Sequence, residues 1–181
     1  MPRYVALLRA INVGGRNVVK MDQLRRLFEK AGFSAVETFI ASGNVMFDSR
    51  ATNGGAMEKK IETVLRGALG FDVGTFVRTD AEIEKVASHP PFPPLKMHDA
   101  RALNIGFLKA PLDPAAARAL MAFTSDVDDF HTHAREIYWL CRTGQSDSKF
   151  NNVKLEKAIG ARCTFRSIST VMKLAAKCPA R

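Results

Sequence analysis

The chain has no long hydrophobic run and few cysteines, and these two absences exclude several classes of protein. The apolar run at residues 5–8 ends at Arg9, so neither a signal peptide nor a membrane-spanning helix is expected. The three cysteines, Cys141, Cys163 and Cys178, are odd in number and lack C-x-x-C spacing, which favours reduced, mostly buried thiols over disulfides or a zinc site. The sequence therefore predicts a cytoplasmic protein that does not enter a membrane.

Several motifs that would identify a chemistry are also missing. The chain contains no G-x-G-x-x-G, Walker A, G-x-S-x-G or RNP1 pattern, and no carboxylate pair that spacing forces together. The nucleotide-binding folds that G-x-G-x-x-G and Walker A mark are excluded, and no cofactor is predicted. Whether the chain is an enzyme stays open, because no residue pattern predicts a reaction.

Acidic residues are scarce, which gives a net charge of +9. Most of the excess lies in residues 142–181, where nine Lys or Arg face only Asp147 and Glu156. Such a field attracts nucleic acid and other polyanions. Solvated outer faces of two helices account for the same lysines, so both interpretations stay open.

The order of predicted elements occurs twice. In the first half, strands are expected at 4–11, 36–41, 44–48 and 73–77, with helices beginning near residues 21, 57 and 80. In the second half, strands are expected at 103–108, 126–132, 136–141 and 163–166, with helices beginning near residues 114, 152 and 168. Four of the eight prolines lie in residues 89–94, which predicts a break between the halves.

We therefore predict an α+β protein of two tandem ferredoxin-like halves, each with βαββαβ order plus an extra helix. The expected boundaries are residues 1–89 for the first half, 90–101 for a Pro-rich linker and 102–181 for the second half. Strands at 5–8 and 137–141 are apolar on both sides, so both faces of each sheet should be covered.

Several segments carry a family resemblance. These are Y-V-A-L-L-R-A-I-N-V-G-G, K-M-D-Q-L-R-R-L-F and T-F-I-A-S-G-N-V-M-F, and later I-Y-W-L, S-K-F and T-F-R-S-I-S-T-V-M-K-L. With them, the chain resembles the bacterial domain-of-unknown-function 1697 family over its full length. The resemblance implies an α+β fold of two related halves and no established activity. The family more often shows T-x-R-N-W-N-T where this chain has T-F-R-S-I-S-T.

Candidate ligand-binding residues fall in two groups. Near the first strand they are Arg9, Asn12, Gly14 and Gly15, together with the hairpin residues Ser42, Gly43 and Asn44. An arginine and glycine-turn N–H groups at a strand end suit an anion. Pairing of Arg9 with Glu37, and plain turn geometry for the glycines, are the structural alternatives.

The second group surrounds the predicted helix start at Ser167. It comprises Lys149, Arg166, Ser169, Thr170 and Lys173, which suit a phosphate or carboxylate. Every helix start favours a hydroxyl cap, so the cations are what distinguish this one.

Asp129, His131 and His133 alternate along a predicted edge strand, which places them on the same side, and they are weak metal-ligand candidates.

The hypothesis that unites the anion-binding candidates is a small anionic ligand bound in a cleft between the halves. The competing hypotheses are nucleic-acid binding through the basic C-terminal segment and a ligand-free homomeric module such as a homodimer.

Overall fold

The computed structural model describes residues 1–143 and 148–179. The chain divides into two compact units. The first contains residues 1–87 and the C-terminal segment from residue 172, and the second contains residues 88–171.

The first unit is built around a four-stranded antiparallel sheet of order β2-β3-β1-β4. Its elements are β1 (Arg3–Leu8), α1 (Met21–Lys30), β2 (Ser34–Phe39), β3 (Asn44–Asp48), α2 (Gly54–Leu69), β4 (Thr75–Thr79) and α3 (Asp80–Ser88). Alternate residues of β1, such as Tyr4 and Ala6, pack in one core with Phe28 of α1 and Ile61 of α2. This core holds the two helices on one face of the sheet.

The second unit contains a sheet with the same pattern, of order β6-β7-β5-β8. Its elements are α4 (Pro94–His98), β5 (Ala102–Phe107), α5 (Pro114–Met121), β6 (Asp128–His133), β7 (Glu136–Cys141), α6 (Asn152–Ile159), β8 (Thr164–Ser167) and α7 (Ile168–Lys177), whose last residues belong to the first unit. Trp139 packs among Phe130, Phe150 and Leu155, and its indole Nε1 donates to Asp128 Oδ1 at 2.7 Å.

The α+β class is confirmed, and so is the prediction that the central strands are covered on both sides. Every residue of β1 and of β7 is buried. The three cysteines are free and buried, as expected. Among the described helices, none combines the length and the apolar character needed to cross a bilayer.

Some element boundaries differ from the predictions. The first strand ends at Leu8 rather than residue 11, and the second ends at Phe39 rather than residue 41. In both places a residue that is not glycine turns to positive φ, Ala10 at +61° and Ile40 at +50°, which strand propensity cannot reveal. The predicted Pro-rich linker contains the short helix α4, which Pro94 begins.

Candidate functional site

The segment between β1 and α1, residues 9–20, is the most strained part of the described backbone, and we call it the β1 loop. It turns to positive φ at five residues: Ala10 (+61°), Asn12 (+52°), Gly14 (+58°), Gly15 (+72°) and Asn17 (+51°). Non-glycine residues in this conformation cost on the order of 1 kcal/mol or more each, and they cluster at functional sites.

Two asparagine side chains hold the β1 loop in shape. Asn12 Nδ2 donates to the carbonyls of Val19 at 3.1 Å and Ala41 at 2.8 Å, and Asn12 Oδ1 accepts from the N–H of Val19 at 2.8 Å. Asn17 Nδ2 donates to the carbonyl of Ala10 at 2.9 Å. Asn12, a predicted ligand residue, therefore acts as a cross-link between the loop and the neighbouring hairpin.

That hairpin turn, residues 40–43, packs directly against the β1 loop. The N–H of Leu8 donates to the carbonyl of Gly43 at 2.8 Å. A Cβ atom on Gly43 would lie 2.7 Å from Ile11 Cδ1, so this close approach requires glycine. Ile40 combines a β-branched side chain, a positive φ and 49 % exposure, which marks a second strained position beside the loop.

Ser42 and Asn44 serve mainly to close the turn. Asn44 is fully buried, and its Nδ2 donates to the carbonyl of Phe39 at 3.0 Å and to Ser42 Oγ at 3.1 Å. The predicted proximity of these residues to Arg9 follows from the register, because Asn44 pairs with Leu7 on β1.

Arg9 lies just after β1 and is half-buried, rather than within the central strand as predicted. Its N–H donates to the carbonyl of Gly74 at 2.8 Å. Glu37, the alternative partner considered for Arg9, forms an ion pair with Arg3. Arg3 is the buried arginine of β1, and its Nη1 also donates to Asp48 Oδ1 at 2.9 Å.

The β1 loop is cationic. It carries Arg9, Arg16 and Lys20, and the first acidic residue of the chain is Asp22. Gly14 and Gly15 are exposed, and no hydrogen bond within the described residues engages their N–H groups. The loop thus combines backbone donors and positive side chains with no carboxylate of its own.

The candidates near α7 differ in exposure. Arg166 is buried, and its Nη1 donates to Thr164 Oγ1 at 2.9 Å and to the carbonyl of Phe165 at 2.8 Å. Burial lowers the pKa of Arg166 to about 10. Lys149 and Lys173 are exposed. Ser169 and Thr170 hydroxyls both lie 3.0 Å from Ser167 Oγ, which caps α7.

The metal-ligand candidates lie in the second unit. Asp129 pairs with Arg142 and Lys96, so its carboxylate is engaged by cations. His131 and His133 instead neighbour His89, whose ring stacks on that of His133 at 4.2 Å. Within residues 1–143 and 148–179, no group of three or more His, Cys, Asp or Glu side chains is placed to hold a metal ion.

Sequence reasoning missed three buried or clustered residues. Arg3, rather than Arg9, is the buried arginine of the first strand. Arg78 of β4 is also buried, at 1 % exposure. The repetition of T-F-V-R-T at 75–79 and T-F-R-S at 164–167 could have revealed Arg78. His89 carried no signal, because its partners are more than forty residues away.

The chain is similar to one protein family and to one solved structure described here. The family model described as "Protein of unknown function (DUF1697)" matches residues 1–138. The chain belongs to the DUF1697 family. This DUF1697 chain is also similar to a solved structure, that of the conserved bacterial protein SP0830 from Streptococcus pneumoniae. The two share 24 % identity at a TM-score of 0.78, over 98 % of each chain. That similarity supports the fold alone. No curated protein matches the chain.

Proposed function

We propose that the β1 loop binds a small anionic ligand. The observation that carries the proposal is the concentration of left-handed residues and cations after a buried central strand, with no acidic residue in residues 1–21. Successive backbone N–H groups in such turns form concave anion sites. Guanidinium groups add charge-assisted hydrogen bonds to phosphate or carboxylate oxygens.

The loop is also held in place before any ligand arrives. Asn12 fixes both its far end, through Val19, and the hairpin, through Ala41. The stem of Arg9 lies against Gly74, where an added Cβ would be 3.5 Å from Arg9 Cβ. The entropy cost of ordering the backbone on binding is therefore small, which favours binding.

The helix that follows the loop adds N–H donors and also one carboxylate, Asp22, in its first turn. Lys20 is the N-cap of α1, and its side chain makes no capping hydrogen bond. The first-turn N–H groups of a helix have no partner within the helix, and they favour negative charge. The ligand-binding roles of a second set of residues stay predictions, as does the cytoplasmic location; these residues are Lys149, Arg166, Ser169, Thr170 and Lys173.

The test uses inorganic phosphate as the probe and thermal unfolding as the measurement. We expect phosphate to raise the Tm of the wild type at constant ionic strength, and Arg9→Met and Arg16→Gln to remove most of that rise. Arg25→Gln is the matched control, because Arg25 is an exposed arginine on α1. An equal rise in all four proteins would refute the site.

Circular dichroism of each variant separates a binding role from a structural one. Arg16 is exposed in the loop, so its variant keeps the test valid even if Arg9→Met unfolds. A response to chloride equal to that of phosphate would indicate non-specific screening of the positive charge and would contradict the anion site.

We also infer that the two units are ferredoxin-like copies of one ancestral unit. Both sheets place the third strand between the first and the second and the fourth strand beside the first, all antiparallel. In each unit the fourth strand contains a buried arginine that is followed directly by a helix-capping hydroxyl. The two pairs are Arg78 with Thr79 and Arg166 with Ser167. An experimental structure in which β1–β4 fail to superpose on β5–β8 would contradict the duplication.

A further inference from the structure

Two histidines of the second unit point their ring edges at each other. His89 Nε2 and His131 Nε2 are 3.4 Å apart, whereas the ring centroids are 5.6 Å apart and the planes differ by 16°. Because the nitrogens are much closer than the centroids, each ring presents its Nε2 to the other.

This separation is the one that two nitrogen ligands of one metal ion adopt. Zn–N bonds of 2.0–2.1 Å at a tetrahedral angle place the two nitrogens about 3.3 Å apart. We propose that His89 and His131 form a two-imidazole site for a divalent transition-metal ion, with water in the remaining positions. Imidazole suits Cu²⁺, Ni²⁺ and Zn²⁺, and Cu²⁺ should bind most tightly of the three.

The surroundings keep both imidazoles in the form that binds a metal. Burial, and next the neighbouring histidines, lower the pKa of His89, and burial followed by His133 lowers the pKa of His131. Neutral imidazole is the ligand form, so little proton competition arises at neutral pH. The ring of His133 stacks on His89 at 15° and holds its plane.

The ring of Tyr138 packs against both histidines. Its centroid lies 5.0 Å from that of His89 and 6.0 Å from that of His131. Tyr138 is buried, so this packing helps to fix the positions of the two imidazoles.

The test is a titration of the purified full-length protein with Cu²⁺, followed by electron paramagnetic resonance and calorimetry. We expect one site per chain, with superhyperfine splitting from two nitrogens. His89→Asn and His131→Asn should each weaken binding by about tenfold or more and remove one nitrogen from the spectrum. His98→Asn is the control, because the side chain of His98 is 87 % exposed and lies outside the cluster.

A wild-type spectrum without nitrogen coupling would overturn the proposal, and so would equal affinity in all three variants. Far-ultraviolet circular dichroism checks that each variant is folded. The nitrogen count of the wild type stands by itself if one variant does not fold.

Discussion

Replacing Gly43 tests how closely the hairpin turn packs on the β1 loop. An alanine there would place its Cβ 2.7 and 2.8 Å from two side-chain carbons of Ile11 and 3.0 Å from Leu8 Cβ. Neither neighbour can withdraw easily, because both are buried to 1 % exposure. The same substitution also places a Cβ on a backbone with φ of +79°.

The two costs can be separated with Gly70, which has the same φ of +79° and no atom within 4 Å of the added Cβ. Gly70→Ala should lower the free energy of unfolding by about 1 kcal/mol, from the backbone conformation alone. Gly43→Ala adds overpacking of about 1–3 kcal/mol, so its total loss should be about 2–4 kcal/mol.

Urea denaturation at 25 °C measures both losses, provided that the slope m stays unchanged. Ile11→Ala in the Gly43→Ala background should lose less than the sum of the two single losses, because the clash disappears. Equal losses for Gly43→Ala and Gly70→Ala would refute the packing argument, and so would strict additivity with Ile11→Ala.

Two further predictions concern buried charge and pH. Asp48→Asn should lower the free energy of unfolding by about 3 kcal/mol, because it leaves the buried Arg3 without its inner partner. Glu37→Gln should lower the free energy of unfolding by less than about 1 kcal/mol, because that side chain is 57 % exposed. Equal losses for Asp48→Asn and Glu37→Gln in urea denaturation would contradict this difference. The pKa values of His89 and His131 are lowered in the folded protein, so the unfolded chain binds more protons. The free energy of unfolding should therefore be constant above about pH 7.5 and fall as the pH drops below about 6.5. His131→Asn should reduce that fall. Identical pH profiles of the urea midpoint in the wild type and in His131→Asn would contradict this expectation.

Local signals made much of the fold predictable. Asp113 followed by Pro114 marked the start of α5, where Asp113 accepts from the N–H of Ala116 at 2.8 Å. Thr79 and Glu82 have the spacing of a capping box in the sequence, and their reciprocal hydrogen bonds form that box at the start of α3. These signals succeed because cap residues satisfy backbone groups within four positions along the chain, so no distant contact is needed.

Positions that depend on distant contacts were not predictable. Ala10 and Ile11 follow Arg9 as further apolar residues, yet the chain leaves the sheet after Leu8, where Asn12 bonds to Val19 and Ala41. The same reason explains why the sequence alone does not reveal that Glu37 pairs with Arg3. Both arginines are in or next to β1, and only the pairing of β1 with β3 places Arg3 opposite Asp48.

The strain in the β1 loop has a physical consequence for any ligand it binds. Loops that contain strained left-handed alanine and asparagine residues persist only where several neighbouring contacts hold them in that conformation. Here those contacts are the three hydrogen bonds of Asn12 and the packing of Ile11 on Gly43. None of these named contacts involves the side chain of Arg16, so the scaffold and that cation are separate. Neutralising a cation should then weaken an anion's binding without unfolding the loop, which is why Arg16→Gln distinguishes a site from a merely irregular connection.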